Sequence, residues 1–202
     1  MTQLLMRAVT LVGLPVVTTT TGEDIAETRD VIYMPDEGRV IGFTLNKRGR
    51  LAGRLKNILA MERIHAVGRD AVMVLDASAL EGTDGRDGKD GKDGKDSRGA
   101  AADAKGRNVL GNAVLTDAGK QLGTVRDLVV EMGSGEVIGY ELDGDPALQR
   151  AEGAPLLLPL PSTLAVSSDV LMVPADVEEF IRDDLAGFGS AVTDFRARLG
   201  SK

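Results

Sequence analysis

The chain has 202 residues and a formal net charge of −7, and hydrophobic residues make up 43% of it but aromatic residues only 3%. It contains no cysteine, which excludes disulfides, zinc–thiolate sites and thiol nucleophiles. The acidic balance argues against a general affinity for nucleic acid or anionic membranes, although a local basic patch would still allow either. A chain of this length forms one medium domain or two small ones.

The first 17 residues contain an apolar run that is interrupted by Arg7. A membrane-spanning helix needs about 20 consecutive apolar residues, and no window of the chain supplies them. No small-residue cleavage site follows the run. We therefore expect a cytoplasmic protein without a membrane span.

Two stretches of the chain repeat one pattern. Residues 28–45 read TRDVIYMPDEGRVIGFTL, and residues 125–142 read VRDLVVEMGSGEVIGYEL. The alignment places the Arg-Asp pair of each stretch in register and matches Gly42 with Gly139. A further match, HAVGRDAVMV with LAVSSDVLMV, follows downstream of both. These matches predict a tandem duplication of a unit of about 70 to 75 residues.

Each repeat has the pattern of β-structure. Short runs rich in valine and isoleucine are bounded by turns that contain glycine, as expected for strands. The turns at 35–38 and 133–135 each separate two such runs, which predicts a hairpin in each repeat. Several short strands of this kind predict a small barrel or sandwich.

The strand and turn pattern resembles that of the PRC-barrel domain. It runs from Gly22 to Val31 in the first repeat and from Gly119 to Leu128 in the second, each followed by a glycine turn and Val-Ile-Gly-(Phe/Tyr). The first copy departs from the pattern at Ala26 and Thr28, where glycine and valine are usual. Family members include the photosynthetic reaction-centre H subunit, a ribosome maturation factor, stand-alone bacterial proteins and archaeal cell-division adaptors. The resemblance implies a six-stranded β-barrel used for protein docking or assembly, and it does not imply an enzyme. We expect no cofactor.

The predicted architecture is all-β, with two small PRC-type β-barrels in tandem and a C-terminal amphipathic helix. The first barrel is expected at 1–80, a disordered linker at 81–105, the second barrel at 106–175 and the helix at 176–202. The linker contains GTDGRDGKDGKDGKD, whose glycine and balanced charge are typical of a flexible tether. A calcium loop would need a different ligand spacing and a bidentate glutamate. A collagen-like trimer would need more triplets and proline-type residues.

The Arg-Asp pairs and the single histidine, His65, are candidates for acid–base chemistry. Adjacent strand residues face opposite sides of a sheet, so neither Arg-Asp pair is expected to form one site. The sequence favours an aspartate that ends a strand by accepting turn amides, next to an arginine that is solvated or paired across strands. His65 lies in an apolar stretch, which favours a structural role. We predict no catalytic or metal-binding residue.

Residues 46–56 carry five positive charges and no acid, whereas their counterpart at 143–153 is net acidic. The basic segment is a candidate contact for RNA, acidic lipid or an acidic protein. A solvated hairpin, or one that faces the acidic second repeat, is the interpretation that the sequence favours. No aromatic residue is interleaved for base stacking, which argues against RNA. The candidate residues are Lys47, Arg48, Arg50, Arg54 and Lys56.

Apolar residues after Pro174 recur with helical spacing and include three of the four phenylalanines. Asp176 is the predicted N-cap, with Glu179 completing a capping box. Packing of this helix on the barrels is favoured, and docking onto a partner or a second copy of the chain stays open. Its candidate partner-binding residues are Phe180, Phe188 and Phe195.

Together these features predict a non-enzymatic docking or assembly adaptor whose partner is another protein, with a homodimer as a further possibility. The alternative is a ribosome- or RNA-associated maturation factor that uses the basic segment from Lys47 to Lys56. The two differ in salt dependence, because binding to phosphates weakens steeply as the salt concentration rises.

Overall fold

The computed structural model describes residues 4–34, 37–48, 53–80, 109–144, 148, 153–160, 165–166 and 170–200. These residues form two compact units. The first unit comprises residues 10–80, and the second unit comprises residues 4–9 together with 109–200. The predicted linker lies outside the described residues.

The described residues are mostly β-structure, which confirms the predicted class. The strands, numbered along the chain, are β1 (Leu5–Arg7), β2 (Pro15–Thr18), β3 (Asp24–Met34), β4 (Arg39–Asn46), β5 (Arg54–Ala60), β6 (Ile64–Val67), β7 (Val72–Val74), β8 (Ala113–Thr116), β9 (Gln121–Glu131), β10 (Val137–Gly144), β11 (Leu156–Pro159), β12 (Ala165–Val166) and β13 (Val170–Val173).

The two units share one strand topology, as expected for a tandem duplication. Within the described residues, the sheet of the first unit has the order β5-β4-β3-β2-β7-β6, and that of the second has the order β11-β10-β9-β8-β13-β12. In the first unit β2 runs parallel to β7, and in the second unit β8 runs parallel to β13. The antiparallel pairs β3–β4 and β9–β10 confirm the predicted hairpins, although residues 35 and 36 of the first turn lie outside the described residues. Gly38 and Gly135 in those turns have φ angles of 62° and 75°, a left-handed conformation that glycine adopts without steric cost.

Each sheet buries its own apolar core. In the first unit Phe43, Leu45 and Leu59 are fully buried, and in the second unit Tyr140 and Leu158 hold equivalent positions. Valine, leucine and isoleucine supply most of the remaining buried surface, as the low aromatic content requires.

The N-terminal strand lies in a different unit from the one expected. Residues 4–9 group with the second unit, because β1 runs antiparallel along the C-terminal half of β9 and places Met6 opposite Val130. The amide of Val9 also donates to the carboxylate of Asp127 at 3.1 Å. Nothing in the local pattern of an apolar strand specifies which sheet edge it joins, so its position next to the first repeat was misleading.

The C-terminal segment is not one helix from residue 176. A 3-10 helix spans Ala175–Phe180, Arg182 then pairs with Leu157 of β11, and the α-helix α1 spans Leu185–Gly200. The carboxylate of Asp184 accepts a hydrogen bond from the amide of Gly187 at 2.8 Å, which is the geometry of an N-cap. The prediction that Asp176 caps the helix was therefore wrong, because the chain turns back to pair with β11 before α1 begins.

No helix in the described part of the chain is both long and apolar enough to cross a membrane.

Candidate functional site

One face of the second unit's sheet carries α1, and we call it the helix-bearing face. Val129, Gly139 and Pro159 lie side by side on it, on strands β9, β10 and β11. The side chains of Phe188 and Val192 on α1 pack against this face. Their contacts in the buried cluster are Val129, Ile138 and Leu157.

Gly139 makes room for the ring of Phe188. A Cβ at this position would lie 2.6 Å from the carbonyl oxygen of Leu158 and well inside van der Waals contact with Cζ of Phe188. The Phe188 side chain is fully buried as a result. The absence of a side chain at residue 139 is therefore what lets α1 approach the sheet closely.

One ion pair joins the C-terminal half of α1 to the sheet, and a second ion pair with a cation–aromatic contact joins α1 to the preceding 3-10 helix. The guanidinium of Arg196 lies 2.7 Å from the carboxylate of Glu136. Arg198 lies 3.4 Å from Asp176, and its guanidinium stands 6.0 Å from the ring centre of Phe180.

The three phenylalanines predicted to bind a partner take part in this packing. Phe188 and Phe195 are buried, and Phe180 is half-buried with its ring centre 5.2 Å from that of Phe195. A partner would reach Phe188 or Phe195 only if α1 left the sheet. Their observed contacts are those of a helix packed on its own unit.

A row of charged side chains lies beside α1 on the same sheet. Glu141 on β10 stands opposite Asp127 on β9, and both carboxylates are almost fully buried. Nε of Arg7 on β1 lies 3.1 Å from the carboxylate of Glu141. The exposed Arg126 approaches the same carboxylate at 3.8 Å. This row ties β1 to the two central strands.

Asp127 is the most strongly constrained acid of the row. Burial raises the pKa of its carboxyl, and the charge of Glu141 also raises it, whereas the amides of Val9 and Leu128 and the charge of Arg7 lower it. Leu128 donates to it at 2.8 Å. Asp127 therefore accepts backbone amides, as predicted, but it does so in the middle of β9 and not at a strand end.

The first unit has the same face without α1. Ile32, Gly42 and Ala60 lie side by side on β3, β4 and β5, in the register of Val129, Gly139 and Pro159. The neighbouring Ile41 and Ile58 are half-buried. We call these five residues the isoleucine face.

The charged row is different in the first unit. Thr44 occupies the position of Glu141, and its hydroxyl donates to the carboxylate of Asp30 at 3.1 Å. Asp30 is exposed and lies 3.4 Å from Nε of Arg29. The two Arg-Asp pairs thus have different surroundings, and the first one is an exposed ion pair.

The basic segment is only partly brought together. Lys47, Arg54 and Lys56 are exposed, and the amide of Lys47 donates to the carbonyl of Gly53 at 2.9 Å, which closes the hairpin. Arg48 instead pairs with Asp24 and with Glu27, at 2.9 Å from the latter. Arg50 lies outside the described residues.

His65 is exposed on β6 and does not lie in the apolar environment that the sequence suggested. Among the described residues, no group of three or more histidines and carboxylates is arranged to hold a metal ion.

Sequence reasoning missed both the isoleucine face and the role of Arg7. The repeat alignment already matched Gly42 with Gly139 and Ile41 with Ile138, and this was the available signal for a shared face. No such signal existed for Arg7, whose partner Glu141 is far away in the sequence and is replaced by threonine in the other repeat.

A family model described as PRC-barrel domain matches residues 5–80 and again residues 103–180. The two matches correspond to the two repeats and together cover most of the chain, which confirms the resemblance seen in the sequence. No protein with a curated description matches the chain.

Proposed function

The chain belongs to the PRC-barrel domain family, and on this premise we propose that it is a non-enzymatic cytoplasmic adaptor that docks other proteins. The observation that carries the proposal is the divergence of the two faces. The second unit covers its face with α1. In the first unit Ile32 and Gly42 are buried, but the other members of the isoleucine face, Ile41, Ile58 and Ala60, are only half-buried. Among the described residues, only the second copy of the fold is covered by a helix, and this difference suits a protein that uses the first copy for docking.

The proposal includes closure of each sheet into a barrel. In the first unit β5 and β6 stand at the two ends of the strand order, yet only Met61–Arg63 connects them. Neighbouring strands lie about 4.8 Å apart, so a flat six-stranded sheet would separate its edges by roughly 24 Å. The four Cα–Cα steps from Ala60 to Ile64 span at most about 14 Å. The short connection therefore supports a sheet that curls round on itself.

The charged row of the second unit is also consistent with a protein that binds and does not catalyse. Arg7 of β1 pairs with Glu141 of β10, and Asp127 of β9 accepts the amide of Val9, two residues after β1. These contacts hold the N-terminal segment on the sheet. Buried ionisable groups are often catalytic, but here the charged groups form an ion pair and a hydrogen bond with neighbouring segments of the same unit. We therefore assign the charged row a structural role.

The adaptor proposal is tested by affinity purification of the full-length chain from its native cell, followed by nuclease treatment and a salt wash. We expect protein partners in near-stoichiometric amounts that survive both treatments. Recovery of nucleic acid, with loss of every protein after nuclease treatment, would contradict the proposal.

A ribosome- or RNA-associated role is the second candidate, because Lys47, Arg54 and Lys56 are exposed cations on one hairpin. If all three contact phosphates of a single strand, the logarithm of the association constant should fall with the logarithm of the salt concentration at a slope of about −2. Binding of a labelled single-stranded RNA at several salt concentrations measures this slope. A slope near zero, or no binding, would eliminate this candidate and leave the adaptor proposal intact.

A further inference from the structure

The isoleucine face of the first unit corresponds position by position to the face that α1 covers in the second unit. Ile32 pairs with Gly42, which pairs with Ala60; in the second unit Val129 pairs with Gly139, which pairs with Pro159. Both faces are apolar, and both place a glycine at the centre of the row.

The two faces differ in how well they are covered. Ile138 is 4% exposed and Leu157 is fully buried, and both contact α1. Their counterparts Ile41 and Ile58 are only half-buried, whereas Ile32, like its counterpart Val129, is buried. The helix accounts for the additional burial in the second unit, since Phe188 and Val192 lie directly on those side chains.

The segments that follow the two repeats also differ in how many apolar residues they could place on a sheet. The second repeat continues from β13 through a 3-10 helix into α1, which brings Leu185, Phe188 and Val192 to the sheet. The first repeat continues from β7 through a 3-10 helix at Ala77–Leu80. Residues 81–108 then contain no valine, leucine, isoleucine, methionine or aromatic residue. A segment of that composition has no apolar stripe to lay on a sheet.

We propose that the isoleucine face binds an amphipathic helix of a partner protein, seated as α1 is seated on the second unit. A large apolar side chain of the partner, equivalent to Phe188, packs against the half-buried Ile41 and Ile58. This inference rests on the proposed adaptor function and names the class of partner. The chain's own α1 is not the occupant, because its apolar side chains and Arg196 are already engaged on the second unit.

The charge at the edge of the face adds a specificity element. Arg196 of α1 pairs with Glu136 in the second unit, and the repeat alignment places Arg39 at the position of Glu136. Arg39 is exposed at the start of β4. The bound helix therefore carries an acidic residue where α1 carries Arg196, because an arginine there would face a like charge.

The test uses a labelled peptide of residues 183–200 in which Arg196 is replaced by glutamate. We expect this peptide to bind the full-length chain, measured by fluorescence anisotropy. Phe188→Ala in the peptide should weaken binding about tenfold or more, since that side chain supplies the largest apolar contact. The peptide with the native Arg196 should also bind more weakly.

The matched protein variants are Ile41→Asp, which places a charge on the face, and His65→Asp, which places the same charge on an exposed strand of the same unit. Ile41→Asp should weaken peptide binding about tenfold or more, and His65→Asp should leave it unchanged. Equal effects of the two variants, or no binding of the peptide, would overturn the proposal.

Methyl NMR provides a readout that does not depend on a variant folding. The chain has seven isoleucines, and the peptide should shift the δ1 methyl signals of Ile32, Ile41 and Ile58. Shifts confined to Ile138 and Ile181 would show that the peptide displaces α1 instead, which would also overturn the proposal.

The outcome is separable from the adaptor proposal. If partners recovered from the native cell bind Ile41→Asp as well as the wild-type chain, the adaptor function stands and the isoleucine face is not its site. If no partner is recovered while the peptide binds as described, the face is a helix-binding site and the adaptor proposal fails.

Discussion

The close approach of α1 to the sheet of the second unit predicts a measurable coupling between Gly139 and Phe188. Phe188→Ala removes a fully buried ring, which typically costs about 3 to 5 kcal/mol of unfolding free energy. Gly139→Ala introduces a Cβ that overlaps the ring of Phe188 and lies 2.6 Å from the carbonyl oxygen of Leu158. Overpacking of this kind costs about 1 to 3 kcal/mol.

The two costs should not add. Once the ring is gone, the alanine at 139 clashes only with the carbonyl of Leu158, so its cost in the Phe188→Ala background should fall by about 1 to 2 kcal/mol. That difference is the coupling energy of the double-mutant cycle.

Urea unfolding followed by tyrosine fluorescence can isolate the second unit. The chain has two tyrosines and no tryptophan, so a Tyr33→Phe background leaves Tyr140, which is buried in the second unit, as the reporter. All four proteins of the cycle carry this background. Additive costs, with a coupling energy near zero, would refute the placement of Phe188 over Gly139.

Two further predictions concern charged groups of the second unit. The raised pKa of Asp127 means that its carboxyl binds a proton more readily in the folded state than in the unfolded chain. The free energy of unfolding should therefore fall as the pH rises from about 4 through the raised pKa, and the lost stability should not return at higher pH. Asp127→Asn should remove this fall, so the stability of the variant relative to wild type should rise across that window in denaturant titrations; parallel pH profiles would contradict the assignment. Arg196→Glu should lower the free energy of unfolding by about 1 kcal/mol, because the new carboxylate faces Glu136. Adding Glu136→Arg should restore most of this stability, which thermal melts of the single and double variants test. A double variant no more stable than the single one would mean that the pair is not formed in solution.

The sequence alone predicted the duplication and the β-hairpins, because both depend on local signals. Glycines at 38 and 135 mark turns that need a left-handed backbone, and the strands beside them repeat the same apolar spacing. The amphipathic character of the C-terminal segment was also visible in the spacing of its phenylalanines.

The long-range arrangement was not predictable from these signals. β1 carries no residue that specifies β9 as its partner. The ion pair between Arg7 and the buried Glu141 joins residues that are far apart in the sequence. The start of α1 was misplaced because Val177 and Ile181 fit a helical period although their segment forms a 3-10 helix and a bridge to Leu157. Asp176 and Asp184 are equally good N-caps by residue type, and only the tertiary pairing of Arg182 distinguishes them.

The isoleucine face needed both kinds of information. The repeat alignment contained Ile32, Ile41 and Gly42 but not Ile58 or Ala60. Only the structure showed that α1 lies on the corresponding positions of the second unit. The comparison between the two repeats, and not either repeat alone, identifies the less covered surface.

The measurement that tests the docking account most directly is a parallel recovery of partners from the native cell with three versions of the full-length chain. They are wild type, Ile41→Asp, and a variant with three charge reversals at Lys47, Arg54 and Lys56. The account predicts that the protein partners are retained by the charge-reversal variant and lost with Ile41→Asp. Loss with the charge-reversal variant and retention with Ile41→Asp would contradict it and assign binding to the basic hairpin.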